Sequence, residues 1–400
     1  IKTFYTMAKK IILNKNKEKS IQRKHPWLFS GAIAKKDSEI MEGEIVKVYS
    51  FEGEYLATGF WQNDTIAVKI LSFENENIDK HFFENRIKQA VLYRKNLGFF
   101  DDEGNTIFRL INAEGDFLSG LIADYYDGNI VLQFHSVGMY LMKEIIVEAL
   151  LNALPETKTI FSKSSSTLPK KSQISAKDEF LYSQSEEPYF IAKENACKFL
   201  IDYKEGQKTG FFIDQMSNRK LVSEIAKNKK VLNCFAYTGG FSVAALKGGA
   251  TFVESLDISK KAVEVCNKNV EINNFSDRHK ALAVDVLDYL DKVELDVYDM
   301  IILDPPAFAK HNRDLNSALK GYRSINRKAM EKIRKGGFLF TFSCSQAVGK
   351  DDFMTMLFSC AALANRKVRI VRRLPHNFDH PQSIFHPEGE YLKGVLLYIE

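Results

Sequence analysis

At 400 residues the chain is longer than one hydrophobic core usually supports, so two or three domains are expected. Apolar residues at 45% and charged residues at 27% are ordinary for a globular protein, and no apolar run approaches the roughly 20 residues that span a bilayer, so no membrane partner is expected. The net charge of +5 is mild but uneven: ten Lys or Arg stand between positions 2 and 36 against the single acid Glu18, and five Lys between 158 and 177 against none, blocks that meet phosphate about as often as they merely face solvent.

Along the chain, the first ten residues lack the apolar run and cleavage site of a secretory signal, and Met7-Ala8 reads as the natural start behind six upstream residues, so a cytoplasmic protein is expected. From residue 9 to about 72 the pattern is short and strand-like, at 11–13, 43–49, 55–61 and 65–71, broken by Gly, Asn and Asp; it predicts a small β-barrel or sandwich. From about 73 to 97 the spacing turns helical (Ile78, Phe82, Phe83, Ile87, Ala90, Val91), and strands near 108–112 and 130–135 precede a helix over 141–154. These make an α+β middle domain, in which the Ser-, Lys- and Pro-rich stretch 163–171 reads as an exposed loop. Strand character resumes at 189–201. After Asn218 the chain alternates: helix 219–227, strand 230–233, helix 240–247, strand 251–257, helix 260–273, a loop and a short acidic helix. Strand 299–304, helix 317–335, strand 338–343, helix 351–364 and two strands near Val368 and Gly394 follow. Repeated βα units predict a mostly parallel, doubly wound α/β sheet, whose ligands sit at the C-terminal ends of the strands.

The five cysteines (Cys197, Cys234, Cys266, Cys344, Cys360) are odd in number and widely spaced, with no C-x-x-C and no His at ligand spacing, so neither a disulfide framework nor a metal site is expected. The strand at 230–233 runs into Cys234-Phe-Ala-Tyr-Thr-Gly-Gly-Phe-Ser242 and then a helix. Gly239 and Gly240 let backbone approach a ligand closely, and the helix N-terminus offers free N–H donors, although a tight strand-to-helix turn explains the glycines equally well. The loop is not G-x-G-x-x-G, yet Asp257 ends the next strand where an acid takes ribose hydroxyls, so a nucleoside fits better than a pyrophosphate. Asp285 stands at the end of the third strand, either for the exocyclic amine of an adenine or as the N-cap of the next helix. Asp304-Pro-Pro-Ala-Phe-Ala-Lys310 ends the fourth. Its two prolines have no N–H to give a ladder and force the chain out of the sheet in a stiff turn, a shape that holds a flat base edge. Cys344, in Thr341-Phe-Ser-Cys-Ser-Gln at the end of the fifth strand, falls beside that turn. In isolation it reads as an inert thiol; next to Asp-Pro-Pro it reads as a nucleophile, while the other four cysteines read as packing residues.

Gly206-Gln-Lys-Thr-Gly-Phe-Phe-Ile-Asp-Gln215, the 233–242 loop, Leu256-Asp-Ile-Ser259, the Asp304-Pro-Pro motif, Phe342-Ser-Cys-Ser345 and Asp379-His-Pro381 together resemble the bacterial large-subunit ribosomal RNA cytosine-5 methyltransferases. Arg23-Lys-His-Pro-Trp-Leu-Phe-Ser-Gly-Ala-Ile33, with Gly59-Phe-Trp, resembles that family's PUA opening, so the likeness covers nearly the whole chain after Met7. It implies a PUA-like RNA-binding β-barrel at 8–72, an α+β middle domain at 73–188 and a class I, Rossmann-like methyltransferase domain at 189–400. It also implies S-adenosylmethionine as cofactor, large-subunit ribosomal RNA as partner and 5-methylcytosine as product; a homodimer is left open.

Position by position, the resemblance implies that Phe235, Ala236, Tyr237, Thr238 and Gly239 hold the methionine part of the cofactor. Asp257 would take the ribose with Ile258 beside it, and Asp285 the adenine. Lys208, Phe212 and Asp214 would belong to a flap over the cofactor. Cys344 would be the nucleophile, because C5 of cytosine takes a methyl group only after a thiolate adds at C6. Asp304, also counted among the cofactor contacts, would assist at the N3/N4 edge. Pro305, Pro306 and Phe308 would line the pocket of the extruded base, with Phe308 stacking on it. On charge alone, Lys9, Lys10 and the 163–171 loop would meet phosphate.

Many RNA cytosine methyltransferases carry a second cysteine where this chain has Asp304-Pro305-Pro306, which leaves the base that removes the C5 proton unassigned. Asp-Pro-Pro-Phe-like motifs also serve enzymes that methylate base nitrogens without a thiol; Cys344 argues against that alternative. A nicotinamide dehydrogenase would keep the glycine fingerprint, and a non-catalytic RNA-binding protein would have no use for the cofactor positions.

Overall fold

Short alternating segments rich in β-branched residues and cut by Gly, Asn and Asp bury one face as strands rather than as helices. In the computed structural model, which describes residues 8–184, 186–309 and 312–400, the N-terminal stretch folds in this way. The chain divides into two compact units, one running through Ala192 with Ile201–Phe212 and Phe378–Gly389, the other made of Lys193–Leu200, Ile213–Asn377 and Glu390–Glu400.

The first unit begins with β1 (Lys9–Leu13), a single helical turn α1 (Lys19–Gln22), β2 (Trp27–Phe29), β3 (Ile33–Lys36), β4 (Ile45–Tyr49), β5 (Tyr55–Trp61) and β6 (Ile66–Ser72). They form a six-stranded sheet in the order β2-β6-β5-β4-β1-β3 over a core that includes Ile11, Leu28, Val46, Val48 and Val68. β2 and β3 go beyond the sequence reading, being three and four residues long with little buried alternation to betray them. Helix α2 (Lys80–Asn96) starts later than the apolar spacing suggests, because Asp79 caps it by accepting the Phe82 N–H at 3.1 Å. There follow β7 (Ile107–Asn112), β8 (Leu121–Tyr126), β9 (Asn129–Phe134), α3 (Val137–Leu141), α4 (Lys143–Ala153), β10 (Thr159–Lys163) and β11 (Asp178–Ser183). The helix expected at 141–154 is α4, and a short helix α3, capped by Ser136, precedes it without having been read from the sequence. The sheet order β11-β10-β9-β8-β7 encloses Phe83, Ile87, Phe108, Leu132 and Leu150. Beyond Lys163, the 163–171 stretch is irregular, as expected, with Lys170 and Lys171 exposed. A hairpin, β12 (Phe190–Glu194) and β13 (Cys197–Ile201), then leads from one unit to the other.

The second unit alternates as predicted: α5 (Met216–Ile225), β14 (Lys230–Cys234), α6 (Gly240–Lys247), β15 (Phe252–Asp257), α7 (Lys260–Glu271), β16 (His279–Ala283), α8 (Val286–Lys292) and β17 (Met300–Leu303). The rest is α9 (Leu315–Lys332), β18 (Gly337–Ser343), α10 (Lys350–Leu363), β19 (Val368–Arg373) and β20 (Lys393–Ile399). The seven-stranded order is β16-β15-β14-β17-β18-β20-β19, parallel except for β20, which runs antiparallel to both neighbours. Helix α9 buries Ala318, Tyr322, Ile325, Ala329 and Met330, a stripe at three- and four-residue spacing that packs on Leu232, Ile301, Leu303 and Leu339 of the sheet. Each such fully buried aliphatic side chain contributes about 1.5–3 kcal/mol. Among the described residues no helix is long and apolar enough to cross a membrane.

Candidate active site

β14 is parallel to β15 on one side and to β17 on the other, with Cys234 opposite both Leu256 and Leu303. The chain turns outward from β14 in both directions, so a crevice opens at the carboxyl ends of β14 and β17. The loop after β14 passes through three left-handed residues, Phe235 (φ 60°), Tyr237 (φ 47°) and Gly239 (φ 82°). Two are not glycine and cost roughly 1–3 kcal/mol each, a strain that persists only where surrounding bonds impose it. Those bonds are Ala236 N–H to the Leu256 carbonyl (2.8 Å), Tyr237 N–H to Asp257 Oδ2 (2.9 Å) and Gly239 N–H to the Ala236 carbonyl (2.8 Å). A Cβ on Gly239 would stand 2.5 Å from Cys266 Sγ, so packing on α7 requires this glycine in addition to its left-handed φ. Thr238 next to it is buried, and its Oγ1 has no hydrogen-bond partner among the described residues.

Asp257 spends both carboxylate oxygens on backbone, Oδ1 accepting from Ser259 N–H and Oδ2 from Tyr237 N–H, each at 2.9 Å. Ile258 is 75% exposed beside it. Asp285 caps α8, its Oδ1 accepting from Leu287 and Asp288 N–H at 2.8 and 3.1 Å, the second of the two roles open to it; the cap leaves Oδ2 uncommitted.

Asp304 leaves β17 into the Pro305-Pro306 turn, partly buried at the mouth of the crevice. Burial and the neighbouring Asp214 carboxylate raise its carboxyl to about 7, against the opposing pull of the Arg219 charge and the Gln215 hydrogen bond. Gln215 Nε2 donates to Asp304 Oδ1 at 3.2 Å and is itself oriented by Asn218 Nδ2, which donates to its Oε1 at 2.6 Å. Asp214 Oδ2 accepts the Tyr391 hydroxyl at 2.6 Å. Arg219 is buried in a bidentate pair with Glu194, both contacts at 2.6 Å.

Cys344 follows β18, and its thiol approaches the Pro305 carbonyl at 3.8 Å, which sets it against the backbone of the Asp304-Pro-Pro turn after the neighbouring strand β17. None of the five cysteines is in a disulfide, and Cys344 alone is not buried. Burial pushes the Cys266 thiol up to about 12 and Cys360 to about 11, and raises Cys197 and Cys234 as well, as suits packing residues. Lys393, opposite Ser343 on β20, donates to the Ser345 carbonyl at 2.6 Å and to the Tyr391 carbonyl at 2.7 Å. Burial lowers its ammonium to about 8, opposed by the charges of Cys344 and Glu390. The Phe308 ring packs on Tyr322 with centroids 4.7 Å apart and against Gly321, so it serves α9; the exposed members of this turn are Pro306 and Ala307.

Residues 162–387 match the family model of S-adenosylmethionine-dependent methyltransferases, over half of the chain, and residues 11–73 match the model of PUA-like domains. A Vibrio cholerae protein named ribosomal RNA large subunit methyltransferase I is 38% identical over 396 residues, covering 97% of this chain and 98% of that protein. Its namesake from Aeromonas hydrophila is 36% identical over 400 residues, covering 98% and 99%. The chain belongs to the large-subunit ribosomal RNA methyltransferase I family. It is an S-adenosylmethionine-dependent methyltransferase with a PUA-like domain before a class I fold. The fold agrees with a protein described as a methyltransferase and solved with SAH, at TM-score 0.84 and 24% identity over 98% of this chain and all of that one. It also agrees with a Streptococcus mutans protein described as SAM-dependent, at TM-score 0.82 and 23% identity over 98% of this chain and all of that one.

For this family member the second unit gathers Phe235 to Gly239, Asp257, Ile258, Asp285, Asp304 to Pro306, Phe308, Cys344 and, of the predicted flap, Asp214. Lys208 and Phe212 belong to the first unit, as do Lys9 and Lys10 on β1, Lys9 half-buried and Lys10 exposed. Asp379 is buried there too, its Oδ2 accepting the Arg109 N–H and its Oδ1 paired with His380 Nδ1, both at 2.7 Å, which makes that motif a structural clip. Met7 and Lys310 lie outside the described residues. The sequence reading missed Gln215, Arg219, Tyr391 and Lys393. Only Lys393 left a signal, a lone cation opening an otherwise apolar strand.

Proposed function

We propose that the protein methylates C5 of a cytosine in large-subunit ribosomal RNA through a Cys344 thiolate adduct at C6. The observation that carries the reading is the contact between adjacent strand ends: a thiol outside the core stands at the Pro305 carbonyl, and the residue before that proline is a carboxyl that titrates near neutrality. The partnerless, buried Thr238 Oγ1 and the α6 N-terminus behind it suit the polar methionine end of the cofactor, and Asp257 and Asp285 keep oxygen lone pairs for ribose and adenine. S-adenosylmethionine, when bound, supplies an electrophilic methyl group.

The rest falls to the chain's own side chains. The Lys393 ammonium favours the charged form of Cys344. The thiolate adds to C6, the ring electron pair moves toward C5, and Asp304, whose carboxyl burial and Asp214 raise to about 7, gives its proton to N3 as negative charge builds there. After C5 has been methylated, solvent water takes the C5 proton, the C5–H electron pair forms the C5–C6 double bond and expels the thiolate, and the N3 proton returns to Asp304. Lys9, Lys10, Lys170 and Lys171 supply phosphate contacts.

The test is methyl transfer from labelled S-adenosylmethionine to ribosomal RNA lacking its own methylation, with the product nucleoside identified by mass. 5-Methylcytosine that disappears in Cys344→Ala supports the reading. A methylated purine nitrogen, or transfer that survives the substitution, refutes it in favour of nitrogen chemistry centred on Asp304.

A further inference from the structure

The first unit holds a concave site that this chemistry does not use. A cavity of about 290 Å³ is lined by Lys24, Phe73, Arg86, Glu114, Phe117 and Phe385, among others. Phe117 and Phe385 are 49% and 45% exposed, unusual for phenylalanines that only pack. Cations lie on the aromatic walls: Lys24 Nζ is 4.9 Å from the Phe73 ring centre, and the Arg86 guanidinium is 5.8 Å from that of Phe117.

Glu114 lies deeper, its side chain 10% exposed. Its Oε1 takes the Trp27 indole N–H at 2.8 Å, the Ser119 hydroxyl at 2.8 Å and the Lys69 ammonium at 3.5 Å. Burial alone would raise its carboxyl, but the Lys69 charge and these two donors hold it at about 2, so it is ionised at any working pH. All three side-chain contacts fall on Oε1, and among the described residues no side chain occupies Oε2. A charged acceptor at the base of an aromatic cavity, with cations at its mouth, is complementary to a flat ring that carries N–H donors and a phosphate.

We propose that this cavity receives one unpaired nucleobase with an exocyclic amine, adenine, guanine or cytosine, from the RNA substrate. The ring stacks on Phe117 and Phe385, the amine donates to Glu114 Oε2, and flanking phosphates meet Lys24 and Arg86. Uracil turns carbonyl oxygens where the others carry the amine and offers the carboxylate only N3–H between them, so it binds more weakly. The volume, at the foot of the roughly 300–1,000 Å³ usual for ligand pockets, admits one base with its sugar rather than a stacked pair. The proposal rests on the protein acting on RNA.

The test uses the full-length protein saturated with S-adenosylhomocysteine, so that adenine nucleotides do not report on the cofactor site, titrated with AMP, GMP, CMP and UMP by saturation-transfer NMR. AMP, GMP and CMP bind, and UMP binds at least about tenfold more weakly. Phe117→Ala, at an exposed position, weakens each about 5- to 100-fold, the range of base-on-aromatic stacking, and raises KM for ribosomal RNA with kcat unchanged. Glu114→Gln, whose amide both donates and accepts, abolishes the discrimination against UMP. Equal binding of all four nucleotides by the wild type, or binding and KM unaffected by Phe117→Ala, overturns the proposal. Failure of the RNA reading itself gives a different result: the wild type then transfers no methyl group to ribosomal RNA at all.

Discussion

Asp304→Asn removes the charge that the site holds at greatest cost, and its effect on stability can be worked out with its sign. The folded-state carboxyl titrates at about 7 instead of 3.8, raised first by burial and then by Asp214. Such a group favours the folded state most when protonated, below pH 3.8, and this contribution is lost as pH rises toward 7. At ~1.4 kcal/mol per pH unit the accumulated penalty is roughly 2 kcal/mol at pH 5 and roughly 4 kcal/mol by pH 8. Asparagine keeps the Oδ1 that Gln215 Nε2 bonds and never ionises. The variant should therefore gain about 2 kcal/mol more over the wild type at pH 8 than at pH 5, or about 4–8 °C in Tm for a unit of this size, while losing methyl transfer. Differential scanning calorimetry of both proteins across pH 5–8.5 measures it. A Tm difference independent of pH would mean that Asp304 titrates like a solvated carboxyl, and its role as proton donor near neutrality would fall with it.

Lys393→Met takes away the ammonium beside Cys344 and should move the rising limb of the single-turnover pH profile up by about one unit, with partial recovery at pH 9; an unshifted limb would leave Lys393 only its two carbonyl bonds. Gly239→Ala puts a methyl group against Cys266 Sγ in a left-handed turn and should cost about 2–4 kcal/mol; Cys266→Ala beside it should recover the steric share but not the ~1 kcal/mol of backbone strain, as denaturant titration of the three variants would resolve. Arg219→Met leaves Glu194 buried without its partner, a loss of about 3–5 kcal/mol that the double replacement of both by methionine largely restores if the pair is a structural one.

The second unit was legible from the sequence because α/β alternation writes one long apolar period after another, and its predicted elements lie within a few residues of their places. The first unit was less so. β2, β3 and β8 carry no clean alternation, either too short and exposed or, for β8, buried along nearly its whole length. Asp304 and Cys344 could be singled out because a double proline and a polar-flanked thiol are unusual at strand ends. For Gly239 the left-handed φ was foreseeable from the turn, while the close approach of Cys266, 27 positions further on, comes through tertiary packing alone. Gln215 and Tyr391 were invisible for the same cause, since each acts through a contact whose partner is distant in sequence, and Lys393 showed only as a cation at the head of an apolar strand.

The thiolate adduct at C6 is the claim on which the chemistry turns, and it can be trapped. With ribosomal RNA transcribed with 5-fluorocytidine, the C5 proton that must leave is replaced by fluorine, and the adduct cannot break down after methyl transfer. The account predicts an RNA–protein complex stable to denaturing electrophoresis, dependent on S-adenosylmethionine, formed by the wild type and absent in Cys344→Ala. A wild-type protein that methylates its normal RNA yet forms no such complex, or a complex that persists in Cys344→Ala, would contradict it.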